Sequence, residues 1–165
     1  MILNTPYCFN REMAINIASV RGVCVTTDEN HQLRPDAIAA AITDRTRAVV
    51  TISPDNPTGA VYSPESLRAV STVCRRTGVY HIHDEAYEHF VYDGAFYVLL
   101  RVNAEIDAMD LIRRLIREHK VAVIPGDTFG IEDGRRLRVA YGTLEKETVA
   151  EGIGPLARGL TAILG

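Results

Sequence analysis

Residues 48–65 read AVVTISPDNPTGAVYSPE. The first six are a nearly unbroken apolar run, as expected of a strand covered on both faces. The next six, built from Pro, Asp, Asn, Thr and Gly, are loop chemistry. Ser63-Pro64-Glu65 then opens a helix: a hydroxyl cap, a proline whose missing N–H costs nothing in the first turn, and an acid at the positive end of the helix dipole. Leu67, Val70, Val73 and Cys74 share one face of that helix, and Gly78 is a natural stop. VYHIHD, residues 79–84, predicts the next strand. Strand, loop, helix and strand in this order argue for a parallel sheet with helices packed on it.

Upstream, residues 12–20 predict a helix and 23–27 a short strand, and Arg34-Pro35-Asp36 opens a helix through about residue 42. In parallel sheets, ligands bind outside the C-terminal strand ends. Both NPTG, after 48–53, and DEAY, after 79–83, fall there. Downstream, 96–102 (FYVLLRV) reads as a strand, and Asp107 caps a helix over 108–119 with Ala108, Leu111, Leu115 and Ile116 inward. Residues 121–124 (VAVI) and 137–141 (LRVAY) predict two further strands. A last helix spans about 145–163, weakened by Gly152, Gly154 and Pro155; an interior proline alone costs roughly 3 kcal/mol.

The bulk numbers exclude several classes. The chain has 165 residues, 47% hydrophobic and 24% charged, with net charge −3, a globular profile. There is no basic footprint for nucleic acid, no apolar run long enough for a membrane, and no signal-peptide pattern at the N-terminus. Cys8, Cys24 and Cys74 form no CxxC pair and no even disulfide framework, which fits a reducing cytoplasm.

Three separated stretches, SPDNPTGAVYSPE, HDEAY and PGDTFG…LRVAYG, together resemble the class I/II aminotransferases, the fold-type-I enzymes that depend on pyridoxal phosphate. The resemblance implies an α/β fold: a mainly parallel-sheet large domain, of which residues 1–94 are a remnant, and a small C-terminal α/β domain, residues 95–165. It implies transfer of an amino group between an amino acid and a 2-oxo acid. Asp84 resembles the aspartate beside the pyridine nitrogen, where a carboxylate keeps that nitrogen protonated and the ring an electron sink. Asn56 and Tyr87 resemble the residues that hydrogen-bond the cofactor's phenolate oxygen. Arg138 resembles the arginine that takes the substrate's α-carboxylate in a two-bond fork, with Asn56 beside it. Near Tyr7-Cys8 the family places an aromatic that stacks on the ring; Cys8 occupies that place, and Tyr7 is the substitute available.

The departures are as informative. The family's catalytic lysine, which forms the Schiff base with the cofactor, follows DEAY by a strand or more. This chain has two lysines, Lys120 and Lys146, and neither stands in that setting. FVYDGA leads onward to the lysine segment in relatives and GAFY leads into the small domain; here the two meet at Gly94-Ala95, as if a deletion had fused two copies of a short repeat. The segment that supplies backbone donors to the phosphate does not precede ILNTPYCFN in this sequence. Without neighbouring strands, apolar sheet edges invite association, with a second copy or with a full-length aminotransferase subunit. That gives a non-catalytic alternative: a fragment that docks on such a subunit. A third reading is a metal site. His81 and His83 face one side of a strand, with Glu85 and His89 nearby; the plainer alternative is ordinary strand residues.

Overall fold

The computed structural model describes residues 1–89, 96–142 and 148–165. The fold is α/β. The chain divides into two compact units, Met1–Ala95 and Phe96–Gly165.

In the first unit, β1 (Ile2–Thr5), β2 (Val23–Thr26), β3 (Ala48–Ile52) and β4 (Tyr80–Asp84) form a sheet in the order β2-β1-β3-β4. Every neighbouring pair is parallel. The connecting helices are α1 (Phe9–Ile17), α2 (Pro35–Ala41) and α3 (Pro64–Thr77). All five residues of β3 are buried. Its alternation splits the core in two: Val49 joins Ile2, Ile38, Val70 and Cys74 on the α2/α3 face, and Val50 joins Leu3 and Ile15 on the α1 face. Each such side chain removed from water stabilises the unit by about 1.5–3 kcal/mol.

The register carries that alternation into β4. His81 lies opposite Val49 and His83 opposite Thr51; Ile82 lies opposite Val50 and Asp84 opposite Ile52. The two histidines therefore share the α3 face, and Asp84 points to the α1 face. The start and stop signals around α3 act as the sequence predicts: Ser63 Oγ accepts from the backbone N–H of Ser66 at 3.1 Å, and Gly78 closes the helix with φ +69°.

Two features differ from expectation. Residues 2–5 form the central strand β1, although a stretch of four residues carrying Asn and Thr offers too little period to be recognised alone. The first helix begins at Phe9, before residue 12, with Cys8 as its non-helical entry residue.

The second unit holds β5 (Tyr97–Arg101), α4 (Ala108–His119), β6 (Ile124–Pro125), a 3-10 turn (Gly126–Phe129), β7 (Arg136–Ala140) and α5 (Val149–Leu164). Its sheet order is β5-β7-β6, antiparallel throughout. Asp107 Oδ1 caps α4 by accepting from the N–H of Asp110 at 3.0 Å. Expectation and structure part at 121–124, where a four-residue strand shrinks to Ile124–Pro125. The N–H of Val121 is used instead to bond Leu115 O at 3.1 Å, closing the end of α4, and Val121 and Val123 pack on the core from outside the ladder.

Helix α5 runs through Pro155 without ending. Packing offsets the propensity cost. Leu156 is buried in a cluster with Leu111, Leu115 and Leu137, and α5 presents Gly159 to α4. A Cβ on Gly159 would meet Leu115 Cδ2 at 2.8 Å and His119 Cγ at 3.0 Å. Leu115 is fully buried and has nowhere to retreat. Gly159→Val is therefore expected to destabilise the second unit by about 1–3 kcal/mol through overpacking, read as a lower urea midpoint. A midpoint equal to or above wild type would show that α4 and α5 can separate freely.

Candidate functional site

Strand order reverses at β1: the chain moves to β2 on one side, then crosses to β3 on the other. The crevice outside the C-terminal ends of β1 and β3 is where such sheets take ligands. Tyr7 and Cys8 follow β1, and the SPDNPTG loop follows β3. The backbone N–H of Ser53 donates to Asp84 O at 3.0 Å, which ties that loop to the end of β4.

The loop is built around buried polar groups. Asp55 and Asn56 are each 3% exposed. Asp55 Oδ2 accepts from Thr58 Oγ1 at 2.6 Å. Burial pushes the Asp55 carboxyl up to about 6, against the smaller opposing pull of hydrogen bonds from Thr58 and the Tyr62 hydroxyl. Tyr62 is raised well above its usual range by its own burial and by the Asp55 charge. Asn56 Nδ2 donates to Cys8 Sγ at 3.4 Å, joining the two loops of the crevice.

Asp84 stands at the end of β4 on the α1 face. One carboxylate oxygen accepts from the N–H of Ala86 at 2.9 Å, which caps the DEAY turn. The other is ion-paired with Arg11 Nη2. Arg11 is the third residue of α1. A cation in a first turn opposes the helix dipole, and that mismatch was the one sequence signal that Arg11 has a partner elsewhere. Tyr7 is half-buried, and its hydroxyl is pushed up to about 12 by burial, then by the charge of Glu12. Leu3, Asn4, Tyr7, Arg11, Asp55 and Tyr62 help to line a recess here. Asn4 Oδ1 and Arg11 Nε are buried beside it with no protein hydrogen-bond partner among the described residues. Tyr87 follows in the turn after β4 and is partly buried.

The structure thus brings Asn56, Asp84 and Tyr7 to one end of one sheet. Arg138 belongs to the second unit, on β7. Its guanidinium carbon lies 4.6 Å from the centre of the Tyr97 ring and 5.1 Å from that of Phe129. Flat aromatic faces hold a guanidinium by its charge and shape, and leave its edge to grip a carboxylate.

On the opposite face of the first sheet, His81 Nε2 and His83 Nδ1 both approach Thr51 Oγ1, at 2.9 and 2.7 Å. Hydroxyl partners therefore take those nitrogens, and among the described residues no group of three or more His, Cys, Asp or Glu side chains gathers as metal ligands would.

Residues 9–96 and 92–156 each match the family model for aminotransferase class I and II. The chain belongs to that family. The two matched blocks meet and overlap at 92–96, so family segments are joined there; Gly94-Ala95 lies outside the described residues. The chain is 36% identical over 115 residues to an aspartate aminotransferase of Geobacillus stearothermophilus, covering 68% of this chain and 29% of that relative. It is 40% identical over 84 residues to the glutamate-pyruvate aminotransferase AlaA of Escherichia coli K12, covering 50% of this chain and 21% of the relative. It spans less than a third of the length of these curated relatives. In fold it is similar to the maleate-containing aspartate aminotransferase of Thermus thermophilus, with TM-score 0.84 and 21% identity over 96% of this chain and 69% of that one. A solved Escherichia coli aminotransferase gives 0.86 at 17% identity, over 98% and 69% of the two chains.

The family depends on pyridoxal phosphate. The cation that Asp84 requires is already present as Arg11, and the Asn56 amide is turned to the Cys8 thiol. Among the described residues the one lysine is Lys120, directly after α4, whose Nζ donates to Arg117 O at 3.0 Å. Lys146 lies outside the described residues.

Proposed function

We propose that this chain is an aminotransferase remnant that does not attach pyridoxal phosphate covalently and does not transfer amino groups by itself. The observation that carries the reading is the junction of the two family blocks at 92–96, where the sequence passes from the DEAY turn to the small domain with no lysine between. The ancestral activity is exchange of an amino group between an amino acid and a 2-oxo acid. In that ancestry Asp84 served the ring nitrogen, Asn56 and Tyr87 the phenolate oxygen, Tyr7 the ring face, and Arg138, with Asn56, the substrate carboxylate. Free thiols at Cys8, Cys24 and Cys74 suit a reducing cytoplasm.

The test is cofactor trapping. The purified chain is mixed with pyridoxal phosphate, reduced with borohydride, and mapped by peptide mass. The expected result is no stoichiometric pyridoxyl group at either lysine. A single full-occupancy adduct at Lys120 or Lys146 would mean that a lysine has been recruited, and the reading would fail.

A second reading is favoured by the edge of the first sheet. Among the described residues β4 pairs on one side only, and Tyr80 and Ile82 beside that edge are 76% and 47% exposed. An open apolar edge is a template for another strand, and a full-length aminotransferase subunit is the partner this reading assigns. Co-expression with such a subunit should give a complex that Ile82→Lys dissolves. Separate elution of the two proteins would end the idea.

A further inference from the structure

On the α3 face, away from Asp84, three hydrogen bonds and one longer contact to a carboxylate form one chain. Ser71 Oγ lies 2.8 Å from His81 Nδ1. His81 Nε2 lies 2.9 Å from Thr51 Oγ1, and Thr51 Oγ1 lies 2.7 Å from His83 Nδ1. His83 Nε2 lies 3.5 Å from Glu85 Oε1. Thr51 is 1% exposed, so its hydroxyl has no water to turn to, and Ser71 at the other end is exposed.

Chemistry sets the direction of this chain. A carboxylate only accepts, so Glu85 draws the proton of His83 to Nε2, which leaves His83 Nδ1 as an acceptor. A threonine hydroxyl has one proton. Thr51 donates it to His83 Nδ1 and must then accept from His81 Nε2–H. His81 Nδ1 is left with a bare lone pair, and the Ser71 hydroxyl donates into it. A serine hydroxyl, an unprotonated imidazole nitrogen and a third group that fixes the tautomer are the parts of an activated nucleophile.

We propose that Ser71 is a base-assisted nucleophile that accepts activated acyl groups, with His81 as its base and Thr51, His83 and Glu85 as positioning residues. In the step itself, Ser71 Oγ forms a bond to the acyl carbon as its proton passes to His81 Nδ1. The bond to the leaving group then breaks, and the leaving oxygen takes its electron pair and the proton from His81. Arg68 and Arg75 stand three residues before and four residues after Ser71 on the same helix, and the Arg68 guanidinium lies 3.5 Å from Glu65 Oε1. Burial lowers the basicity of His81, which keeps it unprotonated at neutral pH.

The experiment uses the full chain and a fluorophosphonate probe, which mimics the acyl donor at phosphorus and spares thiols such as exposed Cys24. The Ser71–phosphorus bond forms as fluoride leaves, and the proton held by His81 goes to solvent. The expected result is one phosphonyl group per chain, mapped to Ser71 and absent in Ser71→Ala. His81→Gln should slow labelling about 100-fold, within the range that general bases supply. Thr51→Val, which keeps the shape and removes the relay, should also shift the pH profile of labelling. No adduct at Ser71 in the wild type would overturn the proposal. So would His81→Gln and Thr51→Val labelling at the wild-type rate, each checked for folding by its melting curve.

Discussion

Phe129→Ala is expected to lower the stability of the second unit by about 3–5 kcal/mol and to release Arg138. Phe129 is fully buried at the end of the 3-10 turn, directly before Gly130, whose φ of +73° redirects the chain. Loss of the ring removes a large apolar volume at a point where strand β6, the turn and β7 converge. It also removes one of the two rings over which the Arg138 guanidinium lies. Phe129→Leu separates the two effects: it keeps most of the volume, so the stability loss should fall below about 1.5 kcal/mol, while the platform is still lost. Urea midpoints give the first quantity. Comparison of a carboxylate's effect on the Arg138 side-chain NMR signals in wild type and Phe129→Leu gives the second. Equal midpoints for wild type and Phe129→Ala would show that the turn is not part of the core.

Asp55→Asn should stabilise the first unit at neutral pH by up to about 3 kcal/mol, and by almost nothing at pH 3. The carboxyl of Asp55 is raised from its ordinary 3.8 to about 6 in the folded chain. Between those values the folded state holds a proton that the unfolded state has released. Folding stability from this group is complete below about 3.8, falls as pH rises through that window, and stays low above about 6. A shift of about two units corresponds to about 3 kcal/mol. Asparagine keeps an oxygen to accept the Thr58 hydroxyl and has no charge to bury. His81 acts in the opposite sense. Its proton affinity is lowered in the folded chain, so its contribution is complete above the ordinary value of 6.5 and declines as pH falls below it. The difference between wild type and Asp55→Asn cancels the histidine. Urea midpoints of both at pH 3 and pH 7.5 measure that difference directly; a constant difference across the range would mean that Asp55 titrates as an ordinary surface acid.

Much of the fold is written in short-range signals. The apolar run Ala48–Ile52, the Ser63 and Asp107 caps and the Gly78 stop each depend on neighbours within a few residues, so the sequence predicts them. The same locality explains the misses. Ile2–Thr5 is central because β2 and β3 flank it, and nothing within its four residues says so. Val121–Val123 has the composition of a strand, but its first N–H is claimed by the end of α4.

The site divides along the same line. NPTG and DEAY announce themselves as loops at strand ends, and their family resemblance follows from residues in order along the chain. Their present partners do not. Arg11 meets Asp84 because α1, which carries Arg11, packs on the sheet face to which Asp84 points. Cys8 meets Asn56 because strand order reverses between β1 and β3. His81, Thr51 and His83 converge because the β3–β4 register sets His83 opposite Thr51. The sequence on its own determined the strands Ala48–Ile52 and Tyr80–Asp84, the Ser63 and Asp107 caps and the Gly78 stop, since those preferences are local steric and hydrogen-bonding properties. Which charge finds which counter-charge, and which hydroxyl points at which imidazole, was decided only by the packing of strands distant in sequence, because a polar side chain is satisfied by whatever the fold brings within about 3 Å of it.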